Sequence, residues 1–309
     1  RITSSLALEN AAKVVPPPDA VRIRNIIQAL NFVYSHAAHI FVLAGPDYDL
    51  YGLVPGLSQA QNLDQYYGIL KQVVLPAQRL CHEITAIFGG KTPHHMSTVP
   101  GGVTGVPTQD DLDKAAGKMG ELKAIINNYA PAVVGYLDNH KSELEAFGSG
   151  WGDFLAYGVF SDPNAPNDPS KFLLKRGTMI KGQRGSLDPG KITEHVKYSW
   201  YTDSSGGAPS QEAAPQDYYG KSGAYSWLKS PRYNGNVMEV GPLARMIVSG
   251  HYTPAKASVY DRLKARAQEM LLVLNSVDKW LRELRPHAKV HVPYKNPTTA
   301  TGFGLWEAP

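Results

Sequence analysis

A chain of 309 residues, 43% hydrophobic and 19% charged, can bury a large core, which excludes a disordered tail. Its formal charge of +4 is small and spread out. The densest basic run, "LKRGTMIKGQR" from Leu174 to Arg184, lacks the interleaved aromatics of a nucleic-acid face, so no nucleic-acid partner is expected. The single cysteine, Cys81, excludes an intrachain disulfide and a thiolate metal cage built from these residues alone.

The opening "RITSSLALEN" has no signal-peptide pattern, and the chain starts without Met and stops on "WEAP"; both ends read as cut. No apolar run approaches the ~20 residues of a membrane span. The first helix expected lies in "PPPDAVRIRNIIQALNFVYSHAAHIFVLAG". Asp19 is its plausible N-cap, Ile23, Ile26, Ile27, Leu30, Val33, Ala37 and Ile40 recur at three-four spacing, and Gly45-Pro46 ends it. A second runs through "LSQAQNLDQYYGILKQVVLPAQRLCHEITAIF", kinked at Pro76. Thr108 and Asp111 read as a capping box for a third, kinked at Pro131 and reaching about Leu144. The region from about 148 to 250 is rich in Gly, Pro and aromatics, with short β-like pieces in "DFLAYGVF" and "FLLKRGTMI". A fourth helix is expected from Pro254 to Leu284, followed by Pro286.

The expected fold is therefore mainly α, a long-helix bundle core with a smaller α+β, irregular lobe. Residues 1–147 and 251–309 form the two parts of the helical core and residues 148–250 the lobe, all one continuous unit.

No generic motif supplies the chemistry. His36 and His39 lie three apart on one helix face; a buried core pair, a metal pair and a proton relay all fit. His82-Glu83 begins an H-E-x-x-H pattern that fails because position 86 is Ala. Cys81, on a helix-like segment, reads first as a small core residue. The loop "GKTPHHMSTVPGGVTGVP", with His94 and His95, is either a connector or a loop shaped to line a site. "FGSGWGDF" lacks the strand and spacing of a nucleotide loop. In "SWLKSPRYNGNVMEVGPLARM", Lys229, Arg232, Glu239 and Arg245 stand among apolar neighbours and need partners if buried.

Taken together, these phrases resemble the large subunit of nickel-iron hydrogenases. "HVKYSWY", "YSWLKSPRY" and "MEVGPLARM" are similar to the family's H-S-W-Y, K-A-P-R-Y and E-V-G-P-L-A-R phrases, in order. "GGKTPHHMSTVPGGVT" is similar to its G-G-K-x-P-H…P-G-G-V loop, and "IRNIIQALNFVYSHAAHIF" to its I-R-N…H-x-x-H-F helix. The resemblance implies an oxidoreductase that splits H₂ reversibly into protons and electrons. It implies a nickel-iron centre carrying cyanide and carbon monoxide, and a heterodimer with an iron-sulfur small subunit. Export or membrane association would come through that partner, with the cytoplasm as the alternative.

The resemblance also marks departures. The family's R-x-C-G-x-C and D-P-C-x-x-C motifs are not in this sequence, and "RI" followed by "TSSLALENA" implies a cysteine-bearing piece missing between Ile2 and Thr3. Many relatives carry Asp where Ser35 stands, in the outer shell around the metals. What carries over is scaffold. His36 and His39 are helix residues behind the site, His94 is in the shaping loop, Pro309 is at the canopy, and Arg232, Glu239 and Arg245 are structural charges. No residue here is expected to ligate metal, and the chain as printed is expected to be metal-free and inactive. The alternatives are the related quinone-site subunit of respiratory complex I, which lacks the cysteines, and an immature apo fragment.

Overall fold

A computed structural model describes residues 1–48, 63–202, 206–209, 215, 220–254, 256–295 and 297–309. Four long helices make the core. Helix α2 (Pro18–Ala38) packs between α4 (Leu75–Gly89) and α8 (Val259–Glu283), and α5 (Gln109–Asn139) lies against both α4 and α8. The apolar stripes meet at this junction, where Ile23, Ile26, Leu30, Val33, Leu80, Ile84, Leu122, Met270 and Leu274 are essentially inaccessible.

Local chemistry explains where these helices start and stop. Thr108 and Asp111 do form a reciprocal capping box on α5, and Ser258 with Asp261 forms a second on α8. This second box, just after Ala257 at φ 51°, starts α8 at Val259 rather than Pro254. The N-cap of α2 is Pro17, not Asp19. Because Pro18 follows, Pro17 is held extended, and Asp19 falls inside the first turn, pairing with Arg22 and Arg285. Beyond Ala38 the helix widens into a π-helical turn, His39–Ala44, before Gly45. A second π turn, Leu70–Val74, joins α3 (Leu63–Ile69) to α4 just ahead of Pro76, where a wider turn accommodates the missing proline N–H. The part of this expected helix at 57–62 lies outside the described residues. Pro131 sits inside α5, which runs on to Asn139, and the short α6 (Lys141–Leu144) follows.

Helix α1 (Ile2–Ala12) has no counterpart in the sequence reading. It runs from Ile2 through Thr3 to Ala12, with the Ser5 N–H donating to the Arg1 carbonyl at 3.0 Å. By length and composition the continuous helix Pro18–Ala44 passes for a membrane span, although no purely apolar run of that length occurs in it. Its apolar residues are packed against α4 and α8, as befits a central core helix.

The strands are short. A two-stranded hairpin pairs β1 (Thr98–Val99) with β2 (Gly102–Val103) in the loop after α4. An antiparallel sheet orders β3 (Phe154–Ala156), β4 (Gly177–Ile180) and β5 (Gln183–Gly185), with Phe154 opposite Met179. Strands β6 (Ile192–His195) and β7 (Ser230–Tyr233) pair separately, Ile192 opposite Tyr233. Glu239 anchors the β3 sheet to α8. Its backbone bonds to Asp153 and Leu155, and its carboxylate takes both Nε (2.7 Å) and Nη2 (2.9 Å) of Arg262. Helix α7 (Pro242–Ser249) then enters the core beside α8.

The C-terminal stretch lies across α1 at very close range. A Cβ on Gly304 would sit 2.4 Å from the Thr3 carbonyl, so only glycine allows this approach.

The Ser258 cap is fully buried, so Ser258→Ala is expected to lower stability by about 0.5–2 kcal/mol, read as a lower urea midpoint at unchanged slope.

Candidate functional site

The side chain that sets the site is Arg245, 1% exposed, brought inward by the apolar face of α7. Its guanidinium grips Glu269 of α8 through Nη2 (2.7 Å to Oε1) and Nε (3.0 Å to Oε2). Its Nη1 donates to Glu307 Oε2 at 3.2 Å and to the Ala308 carbonyl at 2.9 Å. Below it lies the Phe32 ring, 4.9 Å from the guanidinium carbon. Glu307 is itself held, accepting the Tyr157 N–H at 2.6 Å, and Gln28 donates to its carbonyl at 3.2 Å.

His36, fully buried on α2, completes the cluster. Arg266 Nη1 stands 3.0 Å from His36 Nδ1, and a guanidinium only donates. Nδ1 is therefore the acceptor, and the ring proton sits on Nε2, which donates to Glu269 Oε1 at 2.9 Å. Burial pushes the His36 pKa down against the pull of Glu269. Burial pushes Glu269 up, but Arg245 and His36 outweigh it and hold the carboxyl below its ordinary value. Glu307, with one longer contact to Arg245, is raised by its burial instead. Arg266 is lowered to about 10 by burial.

A second buried clamp fixes the loop after α4. Arg24 of α2 binds Glu9 of α1 through two bonds, 2.7 and 3.1 Å, and donates to the Val99 and Gly102 carbonyls. Glu9 also accepts the Gly101 N–H at 2.7 Å. Between α1, α2, α4 and this loop opens a cavity of about 870 Å³, lined by Arg1, Gln28, Tyr34, His82, His95 and Thr98 among others. Three buried atoms of its lining residues have no protein partner: His82 Nε2, His95 Nε2 and Thr98 Oγ1. Burial, with Arg1 and Arg24 nearby, lowers His95 to about 4, so its ring is neutral at ordinary pH.

The residues singled out from sequence separate into distinct settings. His94 is exposed and lines the cavity. His36 is in the Arg245 cluster behind it. His39, half-buried at the start of the π turn, is lowered to about 4 by burial and by the charge of Arg266. Ser35 is half-buried beside them, and Pro309 follows the Ala308 carbonyl that Arg245 holds. Arg245 and Glu239 are both ion-paired. Arg232 departs from the expected buried pair. It is half-buried on the β6–β7 ribbon and donates to the Pro231 carbonyl, with no ion pair among the described residues. Lys229, by contrast, pairs with Glu194 at 2.7 Å.

The lining of the cavity offers imidazoles, hydroxyls and amides, with neither thiolate nor carboxylate. Cys81 is buried in α4 beside His82 and is not itself part of this lining, and its thiol is pushed up by burial. Among the described residues no group of three or more His, Cys, Asp or Glu is placed to hold a metal. A thiolate-held nickel-iron centre does not fit the side chains present here.

The chain belongs to the nickel-dependent hydrogenase family, whose model matches residues 57–309. The periplasmic [NiFeSe] hydrogenase large subunit of Desulfomicrobium baculatum is 32% identical over 99% of this chain and 67% of its own length. The hydrogenase-1 large chain of Escherichia coli K12 is 26% identical over 81% of this chain. The chain thus spans 67% of the first of these relatives and 56% of the second. The structure of a reduced, active Ni-Fe-Se hydrogenase from Desulfomicrobium baculatum superposes with a TM-score of 0.85 at 31% identity, covering 99% of this chain and 71% of the other. A Ni-Fe-Se hydrogenase from D. vulgaris Hildenborough gives 0.82 at 31% identity, with coverages of 99% and 70%. The quinone-site alternative is not favoured by these matches.

The sequence reading missed Glu269, Glu307, Arg266 and the Glu9–Arg24 clamp. One signal was available: Glu269 adjoins Met270 on the apolar side of α8, where an acidic residue calls for a buried cation.

Glu269→Gln leaves Arg245 without its main anion and is expected to cost about 3–5 kcal/mol, read by chemical denaturation. The pH dependence has a definite sign. His36, His39 and His95 all have folded pKa values below the unfolded value of about 6.5. Their contribution is complete above that pH and is lost as pH falls toward about 4. Denaturation midpoints are expected to drop through this window, and His39→Gln is expected to make the drop shallower.

Proposed function

We propose that the protein to which these residues belong is a hydrogenase large subunit that oxidises H₂ reversibly to protons and electrons. The observation that carries this reading is the closed Arg245–Glu269–Glu307 cluster, which fixes the Glu307–Ala308 segment against α2 and α8 in a chain of this family. In the whole enzyme a nickel-iron centre with cyanide and carbon monoxide ligands, held by residues outside this chain, would supply Lewis-acid polarisation of H₂. A small subunit carrying iron-sulfur clusters takes the electrons. The periplasm, or a membrane face reached through that subunit, is the proposed location, in line with the periplasmic relative.

Within this scheme the described side chains have framework roles. His36 and His39 stand on α2 with Ser35, His94 borders the cavity, and Pro309 is assigned to the canopy above the metal centre of the whole enzyme. Residues 1–147, 148–250 and 251–309 act as one structural unit. The 309-residue chain by itself holds no nickel, because its cavity presents no thiolate.

Two measurements test the reading. The full-length protein, isolated with its small subunit, is expected to contain nickel and to reduce a viologen dye with H₂; lack of both overturns the assignment. The 309-residue chain is expected to carry far less than one nickel per molecule, and stoichiometric nickel in it would refute the framework-only role.

A further inference from the structure

Beside the Glu9–Arg24 clamp lies an internal cavity of about 20 Å³, lined by Ile2, Glu9, Arg24, Asn25, Ser161 and Trp306 among others. Three polar atoms of its lining residues are buried and have no protein partner: Arg24 Nε, Asn25 Oδ1 and Trp306 Nε1. Arg24 is 4% exposed and Asn25 is fully buried. The Asn25 amide is oriented by its own bond, Nδ2 donating to the Ser161 carbonyl at 2.8 Å, so the lone oxygen is an acceptor. Arg24 Nε–H and the Trp306 indole N–H are donors only.

We infer that this cavity is a binding site for a single ordered water molecule, accepting from Arg24 Nε and Trp306 Nε1 and donating to Asn25 Oδ1. The volume exceeds the ~10–15 Å³ that one water needs, and three bonds are the usual complement of a buried water. Charge selects the ligand class. An anion would face Asn25 Oδ1 and the Glu9 carboxylate, and a cation would face the Arg24 guanidinium. A neutral molecule of one heavy atom that both donates and accepts meets all three groups. Exchange with solvent runs through the adjoining cleft of about 430 Å³, which shares Leu6, Glu9, Ser161 and Trp306 with this cavity.

The water joins the two buried clamps. Arg24 belongs to the loop clamp, and Trp306 precedes Glu307 of the Arg245 cluster. Through it the indole of the C-terminal stretch is tied to α2.

The test is a high-resolution crystal structure of the full-length protein and of its Trp306→Phe variant. In the wild type a density peak is expected within hydrogen-bonding distance of all three atoms. In Trp306→Phe the peak weakens or vanishes, and the melting midpoint falls on the order of 2 °C. A well-ordered wild-type cavity with no peak, or with these three atoms bonded to protein groups, overturns the proposal. So does a variant that keeps both the peak and the wild-type midpoint.

Discussion

Burying a guanidinium is the constraint around which the rest of this structure is arranged. Arg245 cannot shed its charge, so its place in the core demands anions at fixed positions. They come from two distant points in the chain: Glu269 in the middle of α8, and Glu307 beyond it. Neither has solvent as an alternative partner. Helix α7, helix α8 and the final described segment are therefore fixed with respect to one another by bond geometry, and not by apolar contact alone. Such a cluster adds little net stability over an apolar core of the same volume. Its value lies in the single arrangement it permits, with the Ala308 carbonyl tied to the same guanidinium.

Helix α2 carries the partner groups for both buried clusters along one face. Arg24, Gln28, Phe32 and His36 follow at four-residue steps, so their side chains stack along one side of the helix. Arg24 holds the loop between α4 and α5, Gln28 the Glu307 carbonyl, Phe32 the face of the guanidinium, and His36 the carboxylate of Glu269. The opposite side of α2 supplies ordinary core residues such as Ile23, Ile26 and Leu30. One helix thus positions both the shaping loop and the C-terminal segment, and the large cavity opens beside that loop, between α1, α2 and α4.

How much of this was legible in the sequence follows from the range of the interactions. Three-four spacing marked α2, α5 and α8, and the Thr108–Asp111 box marked the start of α5, because these signals lie within a few residues of one another. Helix α1 gave no such signal. Its buried residues include Ser5 and Glu9, and it owes its place to Arg24 and to the close approach of Gly304. The need of Arg245 for a partner was readable, but its partners were not, since Glu269 and Glu307 lie 24 and 62 residues away and local spacing does not reach them. Arg232 looked equivalent to Arg245 in the sequence. Its half-exposed place on the β6–β7 ribbon shows why it needs no buried anion.

The polar framework and the chemistry proposed for the whole protein are separable in this fold. Every ionic contact described around Arg245 and Arg24 closes on another protein group, so neither cluster relies on a metal for its charge balance. A small zinc domain behaves differently, because its metal bonds are its folding energy. Here the folding energy lies in the apolar junction of α2, α4, α5 and α8, with the buried charges selecting the arrangement. The groups at the large cavity without a protein partner, His82 Nε2, His95 Nε2 and Thr98 Oγ1, are of a different kind. They are neutral, and they belong to residues whose removal breaks no described salt bridge. A site bordered in this way can gain or lose a bound group while the scaffold around it keeps its form.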